Sequence, residues 1–353
     1  MGRWSVSRLD ARPAGVNLAA MTETLHPRLA LFDPDERAVA ALPVCDHYCG
    51  VEARMRKSLE LQGQLGPVFD VTLDNEDGAP VGAEVEHAQL IAELLGSSAN
   101  RFGRVGVRLL PVDHPKFTEV AATVLQASQP PAYLMIPKPR GLADLQRAGK
   151  LVIDAGGAMV PLHALVETHG ALAEVQAMAA HPRIESLSFG LMDFVSAHRG
   201  AIPQSAMGVT GQFEHPLVVR AKLEIAAACH AHGKVPSHCV VTELRNLEAL
   251  AEAAQRAARQ LGYTRMWSIH PAQVKIIVEA FAPTTAEVDM AIEIIDAAER
   301  AQWAPIRHRV LGEDRLHDRA SYRYFWQVLE RAHRTSSATG SQLPAEVRER
   351  WFD

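Results

Sequence analysis

A chain of 353 residues, 48% hydrophobic and 22% charged, has ordinary globular composition and enough length to bury a large core in one large domain or two small ones. A formal net charge of -5 excludes a nucleic-acid binder that relies on a broad basic surface and points to a small-molecule substrate. No run of 18 apolar residues occurs and the opening segment lacks an apolar core of signal-peptide length, so a soluble cytoplasmic protein with no membrane partner is expected.

Residues 1–38 read as an N-terminal extension, partly flexible, and residues 39–300 as the catalytic domain. The first strand candidate is "LPVCDHY" (42–48). It carries two of the four cysteines, Cys45, Cys49, Cys229 and Cys239, which are too few and too unevenly placed for a disulfide framework and are expected to be reduced. "CDHYC", with His47 at its centre, lacks the second cysteine pair of a zinc finger and is not assigned a metal. The second strand, "PVFDVTL" (67–73), ends on Asp74, Glu76 and Asp77. Three acids so close repel one another away from bulk water, so a cation is expected beside them: a metal, an arginine, a lysine, or several of these.

A helix of 3.6-residue period follows at 85–95, then strands at 104–110, containing Arg108, at 132–137, followed by Lys138, and at 160–167, ending on Glu167. A helix is expected over 170–180, a strand at 185–190 followed by Asp193, a helix over 216–233, a strand at 234–241, a helix over 246–262, and a strand at 265–270 ending on His270. Alternation of buried strands with amphipathic helices implies a parallel sheet, and eight units fit a closed (β/α)8 TIM barrel. An open doubly wound sheet would need a G-x-G-x-x-G turn after its first strand; none is present, and "DAGGAMV" (154–160) reads as a turn. Residues 301–353 read as a charged loop, an aromatic-rich helix from about Ala320, and a segment "TSSATGSQLPAEVRERWFD" that begins as a linker; together they form a C-terminal helical lid or subunit-contact extension.

A barrel builds its active site at the carboxyl ends of its strands, where the acids and bases above converge. Glu167 and Asp193 end successive strands, a spacing that lets a hard divalent ion take one oxygen from each, and the bland alternative is that both cap helices. Arg108 lies in an apolar strand and must meet carboxylates; it pairs with the acids of 74–77, polarises a substrate oxygen, or does both. Lys138, flanked by prolines, reads as a structural or binding lysine with a Schiff-base nucleophile as the alternative. His270 precedes a proline that starts a helix and reads as a structural imidazole rather than a general base.

"DNEDGAP", "VRLL", "IPKPRG", "LVETHGAL", "LSFGLMDF", "SIHPAQVKIIVEAFAPTTAEVDMA" and "RLHDRAS", in this order over about residues 45–330, together resemble the HpcH/HpaI aldolase and citrate lyase β-subunit family. The resemblance implies a Mg²⁺-dependent carbon–carbon lyase, with Mn²⁺ as a substitute ion, that cleaves or forms a hydroxyacyl-CoA thioester such as citryl-CoA or malyl-CoA. By position it assigns the metal to Glu167 and Asp193, enolate stabilisation to Arg108, orientation of Arg108 and of metal-bound water to Glu76 and Asp77, and substrate contacts to Arg108, Lys138, Gly190 and Met192. Asp318, from the lid of a neighbouring subunit, would move the proton, which implies a homotrimer or hexamer. Leu110 replaces the family's asparagine, Val85 and Gln89 replace basic residues, and neither the family's first-strand pattern nor its small or acidic residue near the seventh strand is recognisable in "LPVCDHYCG" and "SHCV". The alternatives are a thioesterase on the same substrates, a class II aldolase on a non-CoA substrate, and a non-catalytic ligand-binding barrel.

Overall fold

In a computed structural model, residues 25–37, 41–310, 313–339 and 343–353 are described. Within the expected N-terminal extension, residues 1–24 and 38 lie outside these. Each expected strand forms, all but the sixth shorter than its apolar run: β1 (Cys45–Cys49), β2 (Phe69–Asp74), β3 (Val105–Arg108), β4 (Leu134–Ile136), β5 (Leu162–Val166), β6 (Ile184–Phe189), β7 (Val235–His238) and β8 (Arg265–Ser268). All pair in parallel in chain order, and β8 closes on β1 through Cys45 opposite Met266. The result is a (β/α)8 barrel. Its main core packs the outward apolar residues of the strands, among them Val71, Val107 and Ala164, against helix residues such as Ile91, Leu145 and Ile225.

The amino end of the barrel interior is filled by charge. Arg265 is fully buried, with Nη1 2.5 Å from Asp70 Oδ2 and Nη2 3.1 Å from Asp46 Oδ2. Arg104 forks onto both Asp70 oxygens at 2.7 and 2.9 Å, while Thr72 and Tyr133 donate to Asp46 Oδ1 at 2.6 and 3.0 Å. Buried acids are tolerated because each meets a cation or a hydroxyl. This plug leaves the opposite end of the cylinder as the mouth.

Four details differ from the expectations. The 170–180 segment is two helices, His169–Ala173 and Val175–Ala180, broken where Glu174 turns its carboxylate to accept from Leu142 N–H at 2.7 Å. The expected charged loop after residue 300 contains an antiparallel hairpin, β9 (Ile306–Val310) and β10 (Glu313–His317), whose cross-strand Arg309 and Asp314 lie 3.6 Å apart. The aromatic helix runs Arg319–Thr339, through residues expected to open a linker, and within it Thr335 and Ser336 return their hydroxyls to the carbonyls of Arg331 and His333 at 3.0 and 2.8 Å. Finally, helices Thr285–Arg300 and Arg319–Thr339 build a second core with Leu31, Leu343, Val347 and Trp351, tying residues near the two ends of the described chain together. No helix among the described residues is long and apolar enough to cross a membrane.

Candidate active site

The mouth is organised around Asp74, the last residue of β2. Two backbone N–H groups, of Glu76 and Gly78, donate to its oxygens at 2.9 and 2.6 Å, and Arg108 grips it with Nε and Nη2 at 2.6 and 2.8 Å. The loop must fold back tightly to do this. A Cβ at Gly78 would lie 2.3 Å from Asp74 Oδ2, so only glycine fits there. Glu76 reaches Arg108 Nη1 at 3.1 Å and Lys138 Nζ at 2.5 Å, and Asp77 reaches Lys138 Nζ at 2.8 Å. The cations demanded by the three acids are therefore Arg108 and Lys138, with Asp74 forking onto the guanidinium and Glu76 touching its Nη1.

Arg108 is 6% exposed; burial brings its pKa down to about 10, with the charges of Glu167 and Asp193 working the other way, and it stays a cation at neutral pH. Two of its five N–H donors are taken by Asp74 and its Nη1 also stands 3.1 Å from Glu76 Oε2; the Nη hydrogens not so engaged are left to meet a substrate oxygen. For Lys138, burial works to lower the pKa, but the hydrogen bonds it donates to Asp77 and Glu76 outweigh it and hold the ammonium above the usual lysine range. A Schiff-base nucleophile must be neutral, so this environment speaks against that role.

Lys138 also links the acids of β2 to the next carboxylates. Its backbone, in the left-handed region at φ 48°, directs its N–H to Glu167 Oε1 at 2.7 Å, and its ammonium lies 3.9 Å from Asp193 Oδ1. Glu167 does not cap the helix that follows it; Thr168 does, its Oγ1 accepting from Ala171 N–H at 3.1 Å and donating to Pro139 O at 2.7 Å. Asp193 occupies the first turn of helix Leu191–Ser196, with its side chain 44% exposed. Burial, and after it the Asp193 charge, push Glu167 up to about 8. Among the described residues no three His, Cys, Asp or Glu side chains converge as a metal cluster. Two hard carboxylates open to solvent on one side suit an ion that keeps most of its waters, as Mg²⁺ does, and do not suit a four-ligand zinc site.

Gly190, the N-cap of that helix, leaves room for the Glu167 carboxylate: a Cβ there would lie 2.2 Å from Glu167 Oε2. Replacing it with alanine, Gly190→Ala, is expected to cost about 1–3 kcal/mol of folding stability, read as a lowered midpoint in urea. Met192, half-buried, follows on the same turn. Asp318 stands apart from this cluster at the head of helix Arg319–Thr339, where its Oδ1 accepts from the N–H groups of Ala320 and Ser321 at 3.0 and 3.3 Å. His270 caps helix Pro271–Phe281, its Nδ1 accepting from Ala272 N–H at 3.2 Å, in keeping with a structural imidazole. Cys45 and Cys49 are buried free thiols, both with pKa pushed up by burial.

Two residues of the mouth were not singled out in the sequence. Tyr48, in β1, lies under the Arg108 guanidinium, and Trp267, in β8, stacks on Tyr48. The only available signal was their aromatic character near strand ends, which is equally the mark of core packing.

A closed parallel barrel with interlocked carboxylates and cations at the carboxyl ends of β2, β3, β4, β5 and β6 is the framework of a barrel enzyme. The family model of HpcH/HpaI aldolase/citrate lyase matches residues 69–271, more than half of the chain, and the chain belongs to that family. A citrate lyase structure from Burkholderia xenovorans LB400 is 54% identical, covers 92% of this chain and 99% of its own, and superposes with a TM-score of 0.78. The L-malyl-CoA/beta-methylmalyl-CoA lyase of Rhodobacter capsulatus is 28% identical over 247 residues, 65% of this chain and 76% of that protein. The CitE protein of Mycobacterium tuberculosis, in complex with magnesium, acetoacetate and coenzyme A, shares the fold at 18% identity and a TM-score of 0.64, over 83% of this chain and 99% of that one.

Proposed function

We propose that this chain is a Mg²⁺-dependent carbon–carbon lyase of the citrate lyase β-subunit type, acting in the cytoplasm on a hydroxyacyl-CoA thioester such as malyl-CoA, a methylmalyl analogue or citryl-CoA. The observation that carries this reading is the placing of the Glu167 and Asp193 carboxylates beside a buried arginine with guanidinium N–H groups to spare. Glu167 and Asp193 would hold Mg²⁺, with Mn²⁺ as a substitute, and the bound ion would supply Lewis-acid polarisation of the 2-oxo acid's carbonyl.

Cleavage requires loss of the substrate's hydroxyl proton, passage of the carbon–carbon bond electrons into a thioester enolate, and return of a proton to carbon. The Nη groups of Arg108 stabilise the enolate oxygen, in a buried setting where such a donor is worth most. Glu76 Oε2, buried and 3.1 Å from Arg108 Nη1, keeps a further lone pair for a water or hydroxyl. Lys138 keeps Glu76 and Asp77 in place and adds a positive charge facing the substrate carboxylate. Gly190 and Met192 flank the 2-oxo acid. Asp318 would move the proton from the lid of a neighbouring copy, making the working unit a trimer or hexamer.

The test is incubation of the protein with a panel of malyl-, methylmalyl- and citryl-CoA, with and without EDTA, scoring products. Acyl-CoA plus a 2-oxo acid, lost with EDTA, is expected; no turnover of any thioester would sink the reading. A thioesterase would release free CoA, a reading favoured by 30% identity over 172 residues to a (3S)-malyl-CoA thioesterase of Cereibacter sphaeroides, which covers 48% of this chain and 54% of that protein.

The raised pKa of Glu167 adds a pH dependence. Between the ordinary value of 4.5 and about 8 the folded metal-free chain keeps a proton that the unfolded chain releases, so this group's contribution to stability falls as pH rises through that window. Mg²⁺ needs the carboxylate ionised. Its affinity is therefore expected to climb with pH up to about 8, and binding at pH 7 to expel close to one proton per site, measured by calorimetry in buffers of different ionisation enthalpy.

A further inference from the structure

The geometry points to Tyr48 as the residue that positions Arg108 for catalysis, an inference that rests on the lyase reading above. The Cζ of Arg108 lies 4.4 Å from the centroid of the Tyr48 ring. The same ring stacks on Trp267 at 5.4 Å with an interplanar angle of 12°, and Trp267 is pinned by its Nε1–H donating to Ser188 Oγ at 3.1 Å. A ladder of guanidinium, phenol and indole thus crosses the mouth from β3 through β1 to β8.

Its function follows from what the carboxylates cannot do. A bidentate acid such as Asp74 fixes a guanidinium along its edge, within its own plane, but resists tilting out of that plane only weakly. A π face beneath the cation opposes that tilt. The tilt decides where the uncommitted Nη–H groups aim, and a misplacement of about 1 Å at a reacting centre can cost about 10²-fold in rate. The Tyr48 hydroxyl is buried and has no hydrogen-bond partner among the described residues, so the ring rather than the hydroxyl holds the ladder together.

The full-length wild-type protein, Tyr48→Phe and Tyr48→Leu are to be compared in two ways: steady-state lysis of the best thioester in the panel with Mg²⁺, and crystal structures of each. Tyr48→Phe is expected to keep kcat within about threefold and Tyr48→Leu to lower it by about 10- to 100-fold with KM within about threefold, because the enolate that Arg108 meets exists only late in the reaction. In the crystals, the guanidinium is expected to leave its wild-type plane in Tyr48→Leu alone. An unmoved guanidinium in Tyr48→Leu, or a loss in Tyr48→Phe as deep as in Tyr48→Leu, overturns the inference. Should Tyr48→Leu not fold, Tyr48→Met fills the slot without a π face and carries the same expectations. A wild-type protein that turns over no thioester removes the lyase reading, and the crystal comparison still decides whether the ring sets the arginine.

Discussion

Glu167→Gln is expected to abolish Mg²⁺-dependent release of a 2-oxo acid while leaving a folded protein. The substitution keeps the side chain's shape and its carbonyl oxygen, so the 2.7 Å bond from the Lys138 backbone N–H can persist. It removes one of the two carboxylates proposed to hold the ion, and a neutral amide is a poor substitute in a site with so few charged ligands. A kcat loss of at least about 10³-fold is the expected scale, because the electrophile and one mutational step's worth of charge stabilisation disappear together. Folding should suffer little, and metal-free Glu167→Gln should be as stable as the wild type at pH 9 or more so, since the parent must bury a charge there with Asp193 alongside. Calorimetric Mg²⁺ titration and product analysis check both halves. Full activity in the variant, or in the wild type with excess EDTA, would remove the metal from the chemistry.

On the proposed reading, variants of Arg108 are expected to separate a catalytic from a structural contribution. Arg108→Lys retains a charge but cannot fork onto Asp74 and present further N–H groups at the same time; a kcat about 10²–10³-fold lower is expected, equivalent to about 2.7–4 kcal/mol of barrier. Arg108→Met should lose activity at least as far and also unfold more easily, by about 3–5 kcal/mol, because Asp74 is fully buried and would be left without its cation. Denaturant midpoints beside kinetics for the two variants distinguish these contributions. Equal stability of Arg108→Met and wild type would mean that Asp74 is neutral or has found another partner.

How far the site was legible depended on the range of the interaction involved. The eight strands follow from local apolar runs, and the polar residues of the mouth from the rule that a barrel works at its strand ends, so Arg108, Lys138, Glu167 and Asp193 stood out before their neighbours were known. The partner of Arg108 did not. Whether Asp74, Glu76 or Asp77 would take the guanidinium depends on a loop that folds back on Gly78, a tertiary fact without a periodic signature. The plug of Asp46, Asp70 and Arg265 was hidden for a related reason: its charges sit inside strand segments on β1, β2 and β8 and neutralise one another only once the cylinder closes. In β9 and β10 a high charge density masked the two-residue alternation. At Leu110, which is buried, and at Gln89, which is exposed, the departures from the family pattern lie in ordinary packing and on open surface respectively.

Lys138 adopts a backbone conformation that glycine would enter more easily, yet glycine could not do its work. From one position the main chain steadies Glu167 while the side chain, pointing elsewhere, is shared among Glu76, Asp77 and Asp193. The half of the mouth that would take the ion and the half that holds the arginine are thereby yoked by a single residue. Filling or emptying the first should be sensed by the second as a redistribution of charge, without any strand having to move.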